Sequence, residues 1–285
     1  MILAVASGKG GTGKTTVSVN LAKIFGSSIQ LLDCDVEEPN AHLFLPTQLE
    51  LTEVVDTLVP EINTSACDLC GDCSYFCKFN AVAKLGAQIV VFPELCHSCG
   101  GCEKVCPKSA IHYINRRIGV IETFKSSNIN LIQGRLDIGM SMAPPLIRTL
   151  KSKIDRKLPA ILDAPPGNSC PVVTTIQDAD FVLLVTEPTP FGLHDLRISV
   201  ETLEALDLAF AVVINRMGIG DRRVHDFCKE KNIRVLSEIP NDRKIAETYS
   251  RGELMVDLLP EYKKIFIDLM ERILEFQPNK KIQDG

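Results

Sequence analysis

Nine residues near the start of the chain, Gly8-Lys9-Gly10-Gly11-Thr12-Gly13-Lys14-Thr15-Thr16, separate an apolar run, Ile2 to Ala6, from an amphipathic one, Lys14 to Phe25. The short apolar run reads as a buried strand and the following periodicity as a helix, with a second strand at Ile29 to Asp33. A glycine-rich loop between a strand and a helix has a strong physical use. Without β-carbons, successive backbone N–H groups converge on one anion, and the helix N-terminus adds its partial positive charge. The spacing from Gly8 to Thr15 satisfies G-x-x-x-x-G-K-[ST], which predicts a phosphate cradle. In it Gly8, Gly10, Gly11, Thr12, Gly13 and Thr16 shape the loop, Lys14 reaches the β- and γ-phosphates, and the Thr15 hydroxyl sits on magnesium. An ordinary glycine-rich turn would need neither this spacing nor the Lys-Thr pair.

Further apolar strands are expected at Ala160 to Asp163, Phe181 to Thr186, Ala209 to Asn215 and Arg234 to Ile239, alternating with helical stretches. This is the order of a parallel sheet covered on both faces, so the fold class is α/β. With 285 residues and 45% hydrophobic content, the chain can build one large domain and a small one. Its apolar runs are far shorter than the roughly 20 residues of a membrane-spanning helix. The start lacks a basic residue ahead of its apolar stretch and enters the glycine loop at once, so no signal peptide and a cytoplasmic address are expected. A net charge of -5 supplies no global attraction for nucleic acid.

Eight of the eleven cysteines fall between Cys67 and Cys106. In a reducing compartment such a concentration favours metal binding over disulfides. The pattern C-x2-C-x2-C-x3-C occurs twice: Cys67, Cys70, Cys73 and Cys77 recur 29 positions later as Cys96, Cys99, Cys102 and Cys106. The strand and helix pattern breaks after Pro60 and resumes near Arg117. The expected organisation is therefore a phosphate-binding domain over 1–60 and 116–285 with an insert over 61–115. Zinc sites also use C-x2-C pairs, but rarely as two complete four-cysteine runs in a repeat.

Two resemblances follow. The paired runs, with Pro107 after Cys106, resemble bacterial ferredoxins carrying two 4Fe-4S clusters, in which the fourth cysteine of each run serves the other cluster. The resemblance implies Cys67, Cys70, Cys73 and Cys106 at one cluster, and Cys96, Cys99, Cys102 and Cys77 at the other. Lys78 replaces the proline expected after the first run. The loop, with its additional Lys9, resembles the deviant Walker A motif of the MinD/ParA/nitrogenase-iron-protein superfamily of P-loop ATPases. That resemblance implies an ATP-dependent homodimer in which Lys9 reaches a phosphate of the partner's Mg-ATP. Asp33-Cys34-Asp35, followed by Asn40, resembles the switch I segment, with Asp35 orienting the attacking water and Asp33 supporting magnesium. Asp163 in Asp163-Ala164-Pro165-Pro166-Gly167 resembles the Walker B aspartate that holds magnesium through water, and Asn215, Arg216, Pro240 and Asp242 resemble the adenine-binding loops.

The remaining cysteines read as packing residues: Cys34, Cys228 and Cys170, the last as a buried residue at a helix start. The nitrogenase iron protein has a similarly placed cysteine on a bridging cluster, but no second cysteine lies between Val120 and Asp163 here. His97 reads as a surface residue. The closing helix, Glu261 to Phe276, places Ile265, Phe266, Leu269, Met270, Ile273 and Leu274 at core spacing, and its mixed-charge polar face is unlike a membrane anchor. Together these features imply nucleotide-gated electron transfer to a redox or iron-sulfur partner protein. The alternative is an iron-sulfur assembly or carrier protein, whose usual short C-x2-C pair near the C-terminus is absent. DNA or membrane positioning would leave the cysteines unexplained.

Overall fold

Five consecutive buried residues, Ile2–Ala6, form the first strand, β1. The computed structural model describes residues 1–26, 28–126 and 128–275. After β1 come α1 (Lys14–Ile24), β2 (Ile29–Asp33), β3 (Gln48–Ile62), α2 (Asp72–Phe76), β4 (Val82–Leu85), β5 (Gln88–Val91) and α3 (Gly101–Lys104). The chain continues with β6 (Ile111–Ser126), β7 (Ile129–Leu136), α4 (Ala143–Lys151), β8 (Ala160–Asp163), α5 (Cys170–Ile176), β9 (Phe181–Thr186) and α6 (Pro190–Ala205). It ends in β10 (Phe210–Met217), α7 (Arg223–Glu230), β11 (Val235–Pro240), α8 (Arg243–Ser250), α9 (Met255–Leu258) and α10 (Pro260–Glu275).

Nine strands join in the order β11-β10-β9-β1-β8-β2-β7-β6-β3. The pairs from β11 through β7 are parallel. The connections leave β1 for β2 on one side, while β9 lies on the other. Parallel sheets place ligands outside the carboxyl ends of strands where the order reverses in this way. Register then brings acids together: Asp33 at the end of β2 is the direct partner of Asp163 at the end of β8.

The chain forms two units, one of Met1–Glu53, Ile121–Arg135 and the chain from Ile147, the other of Val54–Val120 and Leu136–Leu146. The second unit is wider than the cysteine-bearing stretch because β3 and β6 run past its ends without a break. These two strands went unread in the sequence. Most of β3 is exposed, with Val55 and Val59 among its few buried residues, and it contains Pro60, a turn signal.

In the first unit, Leu3, Leu21, Leu31, Phe181 and Phe266 belong to one continuous core. From α10, Tyr262, Phe266, Leu269, Met270 and Ile273 are buried. Leu274 is 52% exposed, contrary to the core role expected of it, because it falls on the outward side of the last turn. Phe276 lies outside the described residues.

The second unit includes a buried cluster of Cys73, Val82, Cys102 and Ile111, with Cys77, Cys106 and Tyr113 among the residues packed on it. Its backbone repeats with the cysteines. Leu69 and Ser98 both have positive φ, as do Asn80 and Ser109, each pair 29 residues apart. Asn63 N–H donates to the Ala110 carbonyl and Phe92 N–H to the Ala81 carbonyl, both at 2.8 Å, so the halves bond reciprocally.

Replacing the fully buried Phe266 by alanine is expected to destabilise the protein by about 3 to 5 kcal/mol, read as a lower denaturation midpoint with an unchanged slope. The loss follows from the cavity left in the core beneath α1.

Candidate functional site

Gly13, at φ 95°, takes the N-cap position of α1, and a helix begun by glycine has no side chain with which to cap itself. No acidic residue stands in its first turn, and Lys14 is buried there. Burial holds the Lys14 ammonium below its usual range, opposed by Asp163, Asp35 and Asp33. The helix start and the Lys14 ammonium thus sit with nearby carboxylates beside a cavity of about 370 Å³.

Gly10, Gly11, Gly13, Lys14, Thr15 and Thr16 line that cavity on one side. Asp35, Asn215, Arg216, Pro240 and Asp242 line it elsewhere. Gly8, Lys9 and Thr12 do not; they face a separate small crevice with Asp195 of α6. A β-carbon at Gly8 would come within 2.6 Å of the Asp195 backbone oxygen, so this glycine permits loop-to-helix contact rather than approach to a ligand.

Asp163 and Asp33 lie beneath the cavity and have different duties. The Ser18 hydroxyl donates to Asp163 Oδ1 at 3.0 Å, while Oδ2 is buried without a hydrogen-bond partner of normal geometry. Burial pushes the Asp163 carboxyl upward, against the Thr15 hydroxyl, Lys14 and Ser18. A buried carboxylate oxygen with no hydrogen bond of normal geometry, beside Thr15 and Lys14, suits a cation or its bound water. Both Asp33 oxygens are already engaged: Oδ1 accepts from Asp35 N–H at 3.1 Å, and Oδ2 from Asn40 and Ala41 N–H at 2.8 and 2.9 Å. Asp33 therefore folds the loop that carries Asp35 and Asn40 to the cavity. Burial raises the Asp35 carboxyl to about 6, with Lys14 pulling it down.

In the second unit the eight clustered cysteines divide between two cavities. Cys67, Cys70, Cys73 and Cys106 line one of about 10 Å³. Cys77, Cys96, Cys99 and Cys102 line another of about 360 Å³. Each run thus sends its fourth cysteine across to the other's cavity. Burial pushes the Cys73 and Cys96 thiols upward, so thiolates there require a compensating cation. Ser98 N–H donates to Cys96 Sγ at 3.4 Å and Ala110 N–H to Cys106 Sγ at 3.3 Å, the donors an anionic sulfur needs. Among the described residues, no group of three or more His, Cys, Asp or Glu side chains is placed to hold a metal ion. Four cysteine sulfurs line each cavity, the thiolate donor set that both structural zinc sites and iron-sulfur clusters use.

Residues 3–255 match the model of the CobQ/CobB/MinD/ParA nucleotide-binding domain. The chain belongs to this family. An uncharacterised Methanocaldococcus jannaschii protein is 34% identical to this member over 259 residues, covering 89% of this chain and 90% of the relative. An iron-sulfur cluster carrier protein of Methanococcus maripaludis is 26% identical, covering 95% of this chain and 84% of its own. The fold resembles the Pyrococcus furiosus cell division ATPase MinD, with a TM-score of 0.58 at 24% identity over 96% of this chain and 98% of that one.

Several side chains in this CobQ/CobB/MinD/ParA-family site escaped the motif reading. Glu187, 4% exposed, pairs with Lys9 Nζ and with the Arg216 guanidinium, both at 2.8 Å. Its signal was its position just past a buried strand, like Asp33 and Asp163 at the ends of theirs. Tyr249, Ile245 and Ala246 of α8 join the cavity wall. The Asp242 carboxylate caps α8 by accepting from Lys244 N–H at 2.8 Å, and it also accepts from the Tyr262 hydroxyl. Cys34 and Cys228 are buried, but Cys170 is exposed, correcting the packing role expected of it. It begins α5, whose buried face is Val172, Thr174, Thr175 and Ile176. His97 is exposed and stacks on Phe79 at 3.7 Å between ring centroids. Among the described residues, no helix is long and apolar enough to cross a membrane.

Asn215 Nδ2 donates to the Thr12 carbonyl at 2.7 Å, tying the glycine loop to the end of β10. Asn215→Ala is expected to weaken Mg-ADP binding about tenfold, the equivalent of about 1.4 kcal/mol, in a fluorescent-nucleotide titration.

Proposed function

We propose that the chain binds and hydrolyses Mg-ATP as a homodimer and couples that cycle to electron transfer through two 4Fe-4S clusters. The observation that carries this reading is the division of eight cysteines into two four-cysteine cavities, in a chain that also presents an uncapped, lysine-bearing helix start to a nucleotide-sized cavity.

In this reading Lys14 neutralises the β- and γ-phosphates, and magnesium, when bound, would be held by the Thr15 hydroxyl and the buried Asp163 carboxylate and would supply further charge neutralisation there. Asp35 orients the attacking water from the loop pinned by Asp33. Lys9, held in its own subunit by Glu187, exchanges that partner for the phosphate of a second subunit on closure and stabilises developing charge there. Arg216, Pro240 and Asp242 form the base-binding rim. The clusters, when bound, supply one-electron exchange. Closure moves the loops at the strand ends, and such movement can alter the exposure of a redox centre or the docking of its partner.

A second reading, cluster assembly or delivery, is favoured by the likeness to the Methanococcus maripaludis carrier protein. Stable ligation by eight cysteines argues for retention. Incubation with apo-acceptors separates the two, since a carrier gives up its iron and an electron-transfer protein keeps it.

Protein purified without oxygen should contain about eight irons and eight sulfides per chain. Lys14→Ala should keep them while losing about a hundredfold or more in ATPase rate. Cys73→Ala should lower iron toward about four per chain with the ATPase intact. Zinc in place of iron, or an active Lys14→Ala enzyme, would contradict the proposal.

A further inference from the structure

Tyr113, on β6, places its hydroxyl oxygen 3.1 Å from Cys102 Sγ. Its ring lines the cavity shared by Cys77, Cys96, Cys99 and Cys102 and packs on the second unit's core. Cys102 is 7% exposed, so little water competes for its sulfur. A thiolate that holds iron has no S–H to donate, which leaves the tyrosine O–H as the donor.

The repeat does not duplicate this contact. Twenty-nine residues earlier stands Lys84, and its ammonium donates to the Leu69 carbonyl instead. Backbone donors serve a sulfur in each cavity, Cys96 in one and Cys106 in the other. Among the described residues, Tyr113 is the side chain whose hydroxyl bonds one of the eight clustered cysteines.

Hydrogen bonds to ligating sulfur and solvent exposure set iron-sulfur potentials. A donor on the thiolate draws charge from the sulfur and favours the more negative, reduced state. The geometry points to Tyr113 as a potential-setting residue: its hydroxyl raises the reduction potential of the centre held by Cys77, Cys96, Cys99 and Cys102, and no equivalent acts on the other centre. The inference rests on the two-cluster reading proposed above. It makes the two halves of a symmetric repeat electronically different, which gives an electron a preferred place to rest.

The test is an anaerobic potentiometric titration followed by EPR, on the full chain and on Tyr113→Phe, with iron and sulfide counted in each. The phenylalanine keeps the ring in the core and removes the donor alone. One of the two midpoints should fall so that the reduced-to-oxidised ratio at fixed poise drops about tenfold, or about 59 mV for a one-electron couple, while the other stays in place. Site-specific 3,5-difluorotyrosine at position 113, a stronger donor of the same shape, should move the same midpoint upward, a change of sign that lost packing does not produce. This second arm also decides the matter if Tyr113→Phe fails to hold its clusters. Full cluster content with both midpoints unmoved by either substitution would overturn the role of Tyr113 and leave the two-cluster reading standing. A parent protein without iron would overturn the reading itself.

Discussion

The first helix begins with nothing of its own to cap it. Gly13 occupies the N-cap, no acid stands in the first turn, and Lys14 is buried at the positive end of the dipole. An isolated helix would not leave its orphan N–H groups and a cation together in this way. The surrounding fold maintains the arrangement. Asn215 reaches from β10 to the Thr12 carbonyl, and the Asp33 carboxylate gathers three backbone N–H groups to shape the opposite wall. The parallel sheet supplies both braces because its strands end at one edge, where register sets Asp33 beside Asp163. The helix start suits an anion and the buried Asp163 carboxylate a cation, the charge pattern that complements a magnesium-bound nucleotide.

The second unit has the converse constraint. One of its buried clusters joins two cysteines to two aliphatic residues. In the two-cluster reading proposed above the cysteines act twice, as core residues and as ligands, and the reciprocal Asn63–Ala110 and Phe92–Ala81 bonds hold the two runs side by side.

Much of this was legible in the residues. Spacing alone located the glycine loop, because G-x-x-x-x-G-K-T fixes both backbone and side-chain chemistry over a short span. The same was true of the cysteine runs, whose 29-residue period reappears in the backbone at Leu69 and Ser98. Long-range placement was not legible. Asn215 was recognisable as a cavity residue, but its bond to Thr12 joins positions 203 residues apart. Glu187 belongs to no motif, and its pairing with Lys9 depends on two loops meeting. Cys170 was misread because a helix start near a buried strand suggests burial, while α5 turns its other face inward. The strand β3 was missed because the alternation that starts at Gln48-Leu49-Glu50-Leu51 is broken by Val54-Val55 and Leu58-Val59, and Pro60 reads as a turn.

The central claim is that one chain joins a nucleotide cycle to two redox centres. The measurement that bears on it most directly is the EPR spectrum and midpoint potentials of the dithionite-reduced protein, recorded with and without a non-hydrolysable Mg-ATP analogue. The account predicts two 4Fe-4S signals, with at least one shifting in line shape or potential when the analogue binds. Two clusters with identical spectra and potentials in both conditions, in protein shown to have bound the analogue, would contradict it.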